Sequence, residues 1–226
     1  MVQAATISKN YAIIEERMIR QAETSLAFGS QLIEEDMSRG GFFSSMFVKP
    51  AVKFFYNYIA KKNLKKSAME QLYVTLDAAK EVVERGIAAG TPEFDELVER
   101  YFPRYLANDS TVLYCKKGHR NFRKLKELTR KTFFSQIRQV VNLLCVELEA
   151  DEYDDLIKLA FPTKKQAREA LIEQLDFTDQ GIAVVESDPS ILDIPTGKDL
   201  ILRILRKGFD RTKAQFLRDL EELYPS

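Results

Sequence analysis

The side chains that most often supply nucleophiles, bases and metal ligands are scarce in this chain. His119 is the single histidine, and Cys115 and Cys145 are the two cysteines. Cys115 and His119 are four residues apart, a spacing that places two ligands on one face of a helix. A structural zinc site needs four ligands, and the sequence offers no second pair of this kind. We therefore predict no metal site.

The sequence also lacks the usual motifs of nucleophilic catalysis and of nucleotide binding. A Ser-His-Asp triad would have to use His119, and the Gly-x-Ser-x-Gly turn of many hydrolases is absent. Gly197-Lys198 does not complete a P-loop, because Leu192 stands in place of the first glycine and Asp199 in place of Ser or Thr. We expect no cofactor and predict that the protein is not an enzyme.

The composition narrows the class of protein. The chain of 226 residues carries 34 basic and 34 acidic side chains, a balance that argues against a dedicated nucleic-acid binder. Two cysteines are too few for a disulfide framework, so we expect reduced thiols in a cytoplasmic protein. No secretory signal is recognisable, and no window has the ~20 uninterrupted apolar residues of a spanning helix. Any membrane role would be peripheral.

The elements that must position these residues are predicted to be helices, because apolar residues recur at helical spacing along most of the chain. The spacing predicts a long first helix to about Asp36 and a second helix from Pro50 towards Gly86. Thr91, a capping residue followed by proline, marks the start of a third helix, and Pro103 limits it.

The second half of the chain continues this pattern. Asn108 to Ser110 offers another helix cap, and residues 181–194 fit either a helix end or a brief strand. The predicted helices are 121–149, 151–161, one capped by Thr163, and a last one after the capping-box pattern at 196–199. The sequence thus predicts a single domain over 1–226, an all-α, irregular helical bundle of about six or seven helices.

Residues 37–69, here called the aromatic-basic segment, contain no acid between Met37 and Met69. Their rings and lysines suit an anionic membrane surface. The residues expected to insert there, or to pack on a partner chain, are Phe42, Phe43, Met46, Phe47, Phe54, Phe55 and Tyr58. The residues expected to contact lipid headgroups are Lys49, Lys53, Lys61 and Lys62. The alternative interpretation is an ordinary core with a rim of solvated lysines.

The run from Val48 to Lys61 resembles the interfacial segment near the C-terminus of some membrane-associated family 2 glycosyltransferases. In those enzymes, a Lys/Arg-Pro pair followed by spaced aromatics lies along the bilayer. The Asp-Gly usually found further on is missing, since Lys65 and Lys66 follow Leu64 instead. The resemblance covers about twenty-five residues. It implies a membrane-surface environment and carries no catalytic residue to this chain.

A second basic stretch opens the helix predicted at 121–149. Arg120, Lys124 and Lys131 share one line of that helix, with Arg123 beside it. Cations near a helix N-terminus oppose the macrodipole, a cost that a bound anion relieves. We expect these four residues to form a second anion site if they face the same way as the aromatic-basic segment. The alternative is a solvated face with salt bridges to neighbouring helices.

Three hypotheses of function follow from these patterns. The first is a non-enzymatic peripheral membrane or lipid-binding adaptor that contacts anionic lipid through the aromatic-basic segment. The second is a soluble helical interaction subunit, in which that segment packs on a partner chain. The third is a lipid carrier whose helices enclose an apolar cavity. Nucleic acid is not expected as a partner, and the patterns leave the oligomeric state open.

Overall fold

The computed structural model describes residues 3–38, 61–109, 112–194 and 198–225. Across these ranges the chain is helical and has no β-strand, only an isolated bridge between Cys115 and Leu192. A short 3₁₀ turn, Pro189–Ile191, follows the sixth helix. The described residues form seven helices, which are α1 (Ala4–Ser38), α2 (Lys61–Glu84), α3 (Pro92–Leu106), α4 (Phe122–Leu144), α5 (Tyr153–Ala160), α6 (Lys164–Ser187) and α7 (Lys198–Leu223). The predicted all-α bundle is confirmed.

Two threonines start helices by side-chain capping, as the sequence predicts. The Phe94 N–H donates to Thr91 Oγ1 at 3.3 Å, and Pro92 at the first position has no N–H that needs a partner. Thr163 and Gln166 form a capping box, in which each backbone N–H donates to the other's side-chain oxygen at 3.2 Å. These caps fix where α3 and α6 begin.

Some predicted boundaries were wrong. Pro103 does not end α3, which continues to Leu106. Proline cannot donate to the carbonyl of Glu99, but Glu99 is exposed, so water can satisfy that carbonyl. Asn108 and Asp109 cap no helix, since residues 112–121 form turns before α4 begins. Of the two alternatives for residues 181–194, the helix end is correct, because α6 runs to Ser187.

α4 ends at Leu144, earlier than the predicted end near Glu149. At this end of the helix, a buried asparagine of α1 donates hydrogen bonds to backbone carbonyls. Asn10 is 1% exposed, and its Nδ2 lies 2.9 Å from the Val146 oxygen. The same nitrogen lies 3.3 Å from the Leu143 oxygen and 3.4 Å from the Leu144 oxygen. This contact satisfies carbonyls that the helix itself leaves unpaired and ties α1 to α4.

The main core is centred among α1, α2, α3 and α4, and α5 adds Leu156 and Ile157 to it. Phe133 of α4 is fully buried, with its ring centroid 4.2 Å from that of Tyr105 and 6.2 Å from that of Phe102. Ile7 and Ile14 bring the first half of α1 into the same core. Phe28, a later residue on this face of α1, is only half-buried. The second half of α1 is therefore packed more loosely than the first.

A second, smaller core joins the start of α4 to the end of α6. The Lys116 N–H donates to the Ile191 oxygen, and the Asp193 N–H donates to the Tyr114 oxygen, each at 2.7 Å. Leu125 and Leu192 are nearly fully buried between these segments. The loop before α4 is thus fastened to the 3₁₀ turn after α6, and it closes one end of the space between the two helices.

Candidate ligand cavity

Most residues predicted to contact a membrane or partner lie outside the described residues. These are Phe42, Phe43, Met46, Phe47, Phe54, Phe55, Tyr58, Lys49 and Lys53. Lys61 and Lys62 form the first two positions of α2, and the structure describes their backbone alone. The expected membrane contact of the aromatic-basic segment therefore stays a prediction.

The second basic group lies on the exposed surface of α4 and the turn before it. Arg120 Nη2 is 3.0 Å from the Asp188 carboxylate, and the Lys131 ammonium is 5.7 Å from the centroid of the Phe177 ring. Arg123 and Lys124 are exposed, and within the described ranges neither forms an ion pair. Two of the four predicted cations thus already have partners inside the fold, and the anion site stays a prediction.

The structure places His119 beside a serine and an aspartate. His119 Nδ1 accepts the Asn121 N–H at 3.2 Å, so the neutral ring carries its hydrogen on Nε2 and donates to Ser190 Oγ at 3.0 Å. The Ser190 hydroxyl in turn donates to Asp188 at 2.5 Å. In a catalytic triad the serine donates to the histidine instead. This cluster joins the turn before α4 to the end of α6 and does not form a nucleophile–base pair.

Asp188 is expected to make the fold sensitive to acid. Hydrogen bonds from Ser190 and Arg120 stabilise its carboxylate and hold the pKa of Asp188 below its ordinary value. A carboxyl whose pKa is lower in the folded chain adds stability above the unfolded pKa and loses it as the pH falls through the folded pKa. Asp188→Asn should therefore reduce the loss of stability below about pH 4. Urea denaturation at a series of pH values measures this, and identical pH slopes for both proteins would contradict it.

A cavity of about 530 Å³, here called the main cavity, lies between the second half of α1 and helices α2, α4, α6 and α7. Several of the apolar residues along it are half-buried rather than buried. They include Leu26, Phe28, Phe177, Ile201, Ile204 and Leu205. Gly208 of α7 also lines it, and a Cβ placed there would meet no heavy atom within 4 Å.

A second cavity of about 520 Å³, the distal cavity, adjoins the main one along α1 towards α5. The residues that line both are Met18, Gln21, Gln136, Gln174, Leu175 and Thr212. Arg17 lies in the distal cavity, where it pairs with Asp219 at 3.3 Å and sits over the Tyr153 ring at 5.6 Å. Because the two cavities share these lining residues, they are adjacent, and an elongated ligand in one can extend towards the other.

One salt-bridge cluster holds the α7 wall of the main cavity in place. Arg206 donates to both carboxylate oxygens of Glu186, at 3.0 and 2.6 Å, and to Asp179 at 2.5 Å. These contacts lower the pKa of Glu186, with the Arg206 hydrogen bonds as the largest cause. Arg211 lies over the Phe28 ring at 4.0 Å and links α7 to α1. The wall is therefore fixed by polar contacts while its apolar face stays open.

The side of the main cavity nearest α3 is polar and buried. Tyr105 donates to Gln136 Oε1 at 3.0 Å, and Gln71 Nε2 donates to Asp109 at 3.0 Å. Burial raises the pKa of Tyr105 well above its usual range, and the nearby Asp109 charge raises it further. The phenol is thus neutral at physiological pH. An apolar cavity with a few convergent polar groups has the character of a small-molecule site.

Sequence reasoning missed the residues of this cavity. Leu26 and Leu205 fall at the helical spacing of core residues, and the spacing gives no sign that they border a void. The available signal was Gly208, a glycine inside α7 that lines the cavity and at which a Cβ would meet no heavy atom within 4 Å. Glycine inside a helix is destabilising relative to alanine, so its position there indicates a local packing requirement.

Comparison with known proteins assigns no family: no family model, curated protein or solved structure matches the chain. Within the described ranges, no group of three or more His, Cys, Asp or Glu side chains is placed to hold a metal ion. Burial raises the pKa of Cys115, the residue considered with His119 as a ligand pair, to about 11. None of the described helices is long and apolar enough to cross a membrane.

Proposed function

We propose that this chain is a peripheral lipid-binding protein that holds a single long-chain ligand in the main cavity. The observation that carries the proposal is the cavity of about 530 Å³ among five helices, in which most of the exposed lining surface is apolar. Ligand pockets of small molecules range from about 300 to 1,000 Å³. The proposal favours the lipid-carrier hypothesis over an adaptor that only touches the membrane.

The shape and packing of the helices support this function. α1 and α7 leave apolar residues such as Leu26, Ile204 and Leu205 half-buried inside the bundle. A bound hydrocarbon chain would cover them and gain roughly 25 cal/mol for each Å² of apolar surface removed from water. The adjoining distal cavity gives a longer chain room to extend past Met18. The cavity therefore suits an elongated apolar ligand better than a compact polar one.

The aromatic-basic segment is proposed to bring the protein to the surface of an anionic membrane. It joins α1 to α2, and both helices line the main cavity. Lys65, near the start of α2, pairs with Glu23 of α1 at 3.2 Å, so the two helices lie side by side along this part of the cavity. A segment that contacts lipid at this place would deliver ligand close to its site.

A titration tests ligand binding directly. A neutral, environment-sensitive dye such as Nile red is bound to the full chain and displaced with oleyl alcohol. We expect saturable displacement at one ligand per chain, because the main cavity is one connected space. Displacement that never saturates, or that needs several ligands per chain, would show non-specific binding to exposed apolar surface and overturn the proposal.

Liposome co-sedimentation tests the membrane contact separately. The chain is expected to sediment with vesicles that contain phosphatidylserine and to stay in solution with neutral vesicles. Phe43→Glu should weaken sedimentation because it replaces an inserting ring with a negative charge. Lys53→Glu should weaken it because each basic residue near an anionic surface contributes about 1 kcal/mol, roughly fivefold in affinity. Ala183→Glu on the exposed face of α6 is the control that adds one charge elsewhere. Equal sedimentation of all variants would refute the proposed role of the segment.

A further inference from the structure

A group of exposed basic residues, here called the α4 basic patch, covers the turn before α4 and the first turn of that helix. Its members are Lys116, Lys117, Arg120, Arg123 and Lys124. Consecutive turns hold them close together, because the His119 N–H donates to the Lys116 oxygen at 3.0 Å and the Phe122 N–H donates to the His119 oxygen at 2.9 Å. Glu127 is the single acid between Lys116 and Lys131.

Most of this positive charge is not balanced by contacts within the fold. Arg120 pairs with Asp188 at 3.0 Å. The nearby acid Glu127 lies 3.8 Å from Arg130, a cation outside the patch, and Asp193 is exposed on the neighbouring turn. None of the other four patch cations pairs with an acid that the structure describes. An anionic surface outside the chain can therefore balance them.

The patch lies at the end of the bundle that contains the main cavity. Tyr114, just before the patch, and Leu125, just after it, both line that cavity. α3 runs back between α2 and α4, since Arg104 near its end pairs with Glu70 of α2 at 2.9 Å. α2 and α4 therefore begin at the same end, and the aromatic-basic segment leads directly into α2.

We infer that the α4 basic patch is a second contact with an anionic lipid bilayer and turns the cavity end of the bundle towards the membrane. This inference rests on the proposed function and adds the orientation of the protein on the membrane. A single-stranded nucleic acid would also need rings on which its bases stack, whereas Phe122 packs against the second core and Tyr114 lines the cavity. A bilayer surface needs the charge alone, and each cation near it contributes roughly fivefold in affinity.

Charge reversal tests the contact. Arg123→Glu/Lys124→Glu is compared with Arg138→Glu/Arg168→Glu, which makes the same change of charge at exposed positions outside the patch and both cavities. In co-sedimentation with phosphatidylserine vesicles, we expect the patch variant to lose at least about tenfold in affinity and the control to stay within about threefold of the wild type. Equal losses in the two variants, or no loss in either, would overturn the inference.

A fluorophore at a single cysteine tests the orientation and removes no patch cation. Gly118→Cys/Cys145→Ser places the label inside the patch, where a Cβ would meet no heavy atom within 4 Å. The exposed Cys145 of the unmodified chain is the control position, about 30 Å away along α4 at a rise of about 1.5 Å per residue. Cys115 is buried and should stay unlabelled. Phosphatidylserine vesicles with a nitroxide at the headgroup should quench the label at position 118 and leave the label at Cys145 unquenched. Any other pattern would contradict the proposed orientation.

The outcomes separate this inference from the proposed function. Wild-type sedimentation of the patch variant would overturn the inference and leave the aromatic-basic segment as the membrane contact. A wild-type chain that binds oleyl alcohol but no vesicles would remove both membrane contacts and leave the ligand cavity. A short fluorescent DNA duplex covers the remaining partner. Loss of duplex binding in the patch variant with unchanged sedimentation would show a nucleic-acid surface and overturn the inference.

Discussion

Gly208→Phe is expected to lower the affinity for oleyl alcohol at least about tenfold while the protein stays folded. Gly208 lines the main cavity on α7, and a Cβ there would meet no heavy atom within 4 Å. A phenyl ring at this position therefore enters the space that the ligand occupies. Glycine inside a helix costs about 0.5–1 kcal/mol relative to alanine, so the thermal midpoint should not fall.

Binding and stability are measured on the same samples by dye displacement and thermal denaturation. Ala214→Phe is the matched control, because Ala214 lies on the same helix, is exposed and does not line either cavity. The control should bind oleyl alcohol as the wild type does. Gly208→Phe with wild-type affinity and wild-type stability would show that the ligand binds elsewhere.

Phe133→Ala is expected to lower the free energy of unfolding by about 3–5 kcal/mol, the usual cost of removing a large buried aromatic ring. Phe133 is fully buried, and its ring stacks on those of Tyr105 and Phe102, which bring the end of α3 against α4. Its removal leaves a void in the centre of the main core. A change of this size is a large part of the stability of a typical domain.

Urea denaturation measures the loss of unfolding free energy in Phe133→Ala and in the control variant Phe216→Ala. Phe216 is half-buried on α7 and already borders the distal cavity, so its truncation creates little new void and should cost clearly less. If the two variants lose equal stability, the main core does not lie among α1 to α4 as described, and the half-buried faces of α7 are as tightly packed as the core.

The helices could be predicted from the sequence because their signals are local. Apolar spacing in α1 and the caps at Thr91 and Thr163 depend on residues within a turn or two of each other. The predicted helix end at Pro103 was wrong because the cost of a proline inside a helix depends on whether water reaches the carbonyl that the proline leaves unbonded. The carbonyl it leaves unbonded belongs to an exposed residue, so α3 continues through it.

The cavity could not be predicted because helical spacing shows which face turns inward and not whether that face is filled. Ile14 and Phe28 fall on the same face of α1, yet Ile14 is 1% exposed and Phe28 is half-buried at the main cavity. This half of α1 faces α7, which is far away in the sequence and contacts it through Arg211 over the Phe28 ring. Long-range packing of this kind leaves no local pattern.

The position of Asp109 in the candidate site also could not be predicted from the local sequence. In the sequence it is part of a possible helix cap, next to Asn108 and Ser110. In the fold it is buried, bonded to Gln71 of α2, and raises the pKa of Tyr105. Its place at the polar side of a cavity depends on α2, α3 and α4 together. The prediction for the aromatic-basic segment came from composition, and liposome binding tests it independently of the cavity.

A crystal structure of the chain with a long-chain alcohol brominated at its far end tests the central claim most directly. Anomalous scattering locates the bromine without reference to any assumed site. We predict one bromine per chain inside the bundle, near Met18 and Leu175, where the main and distal cavities meet. Bromine on the outer surface, or a cavity that the chain's own side chains fill in the presence of the alcohol, would contradict a lipid-binding function for the cavity.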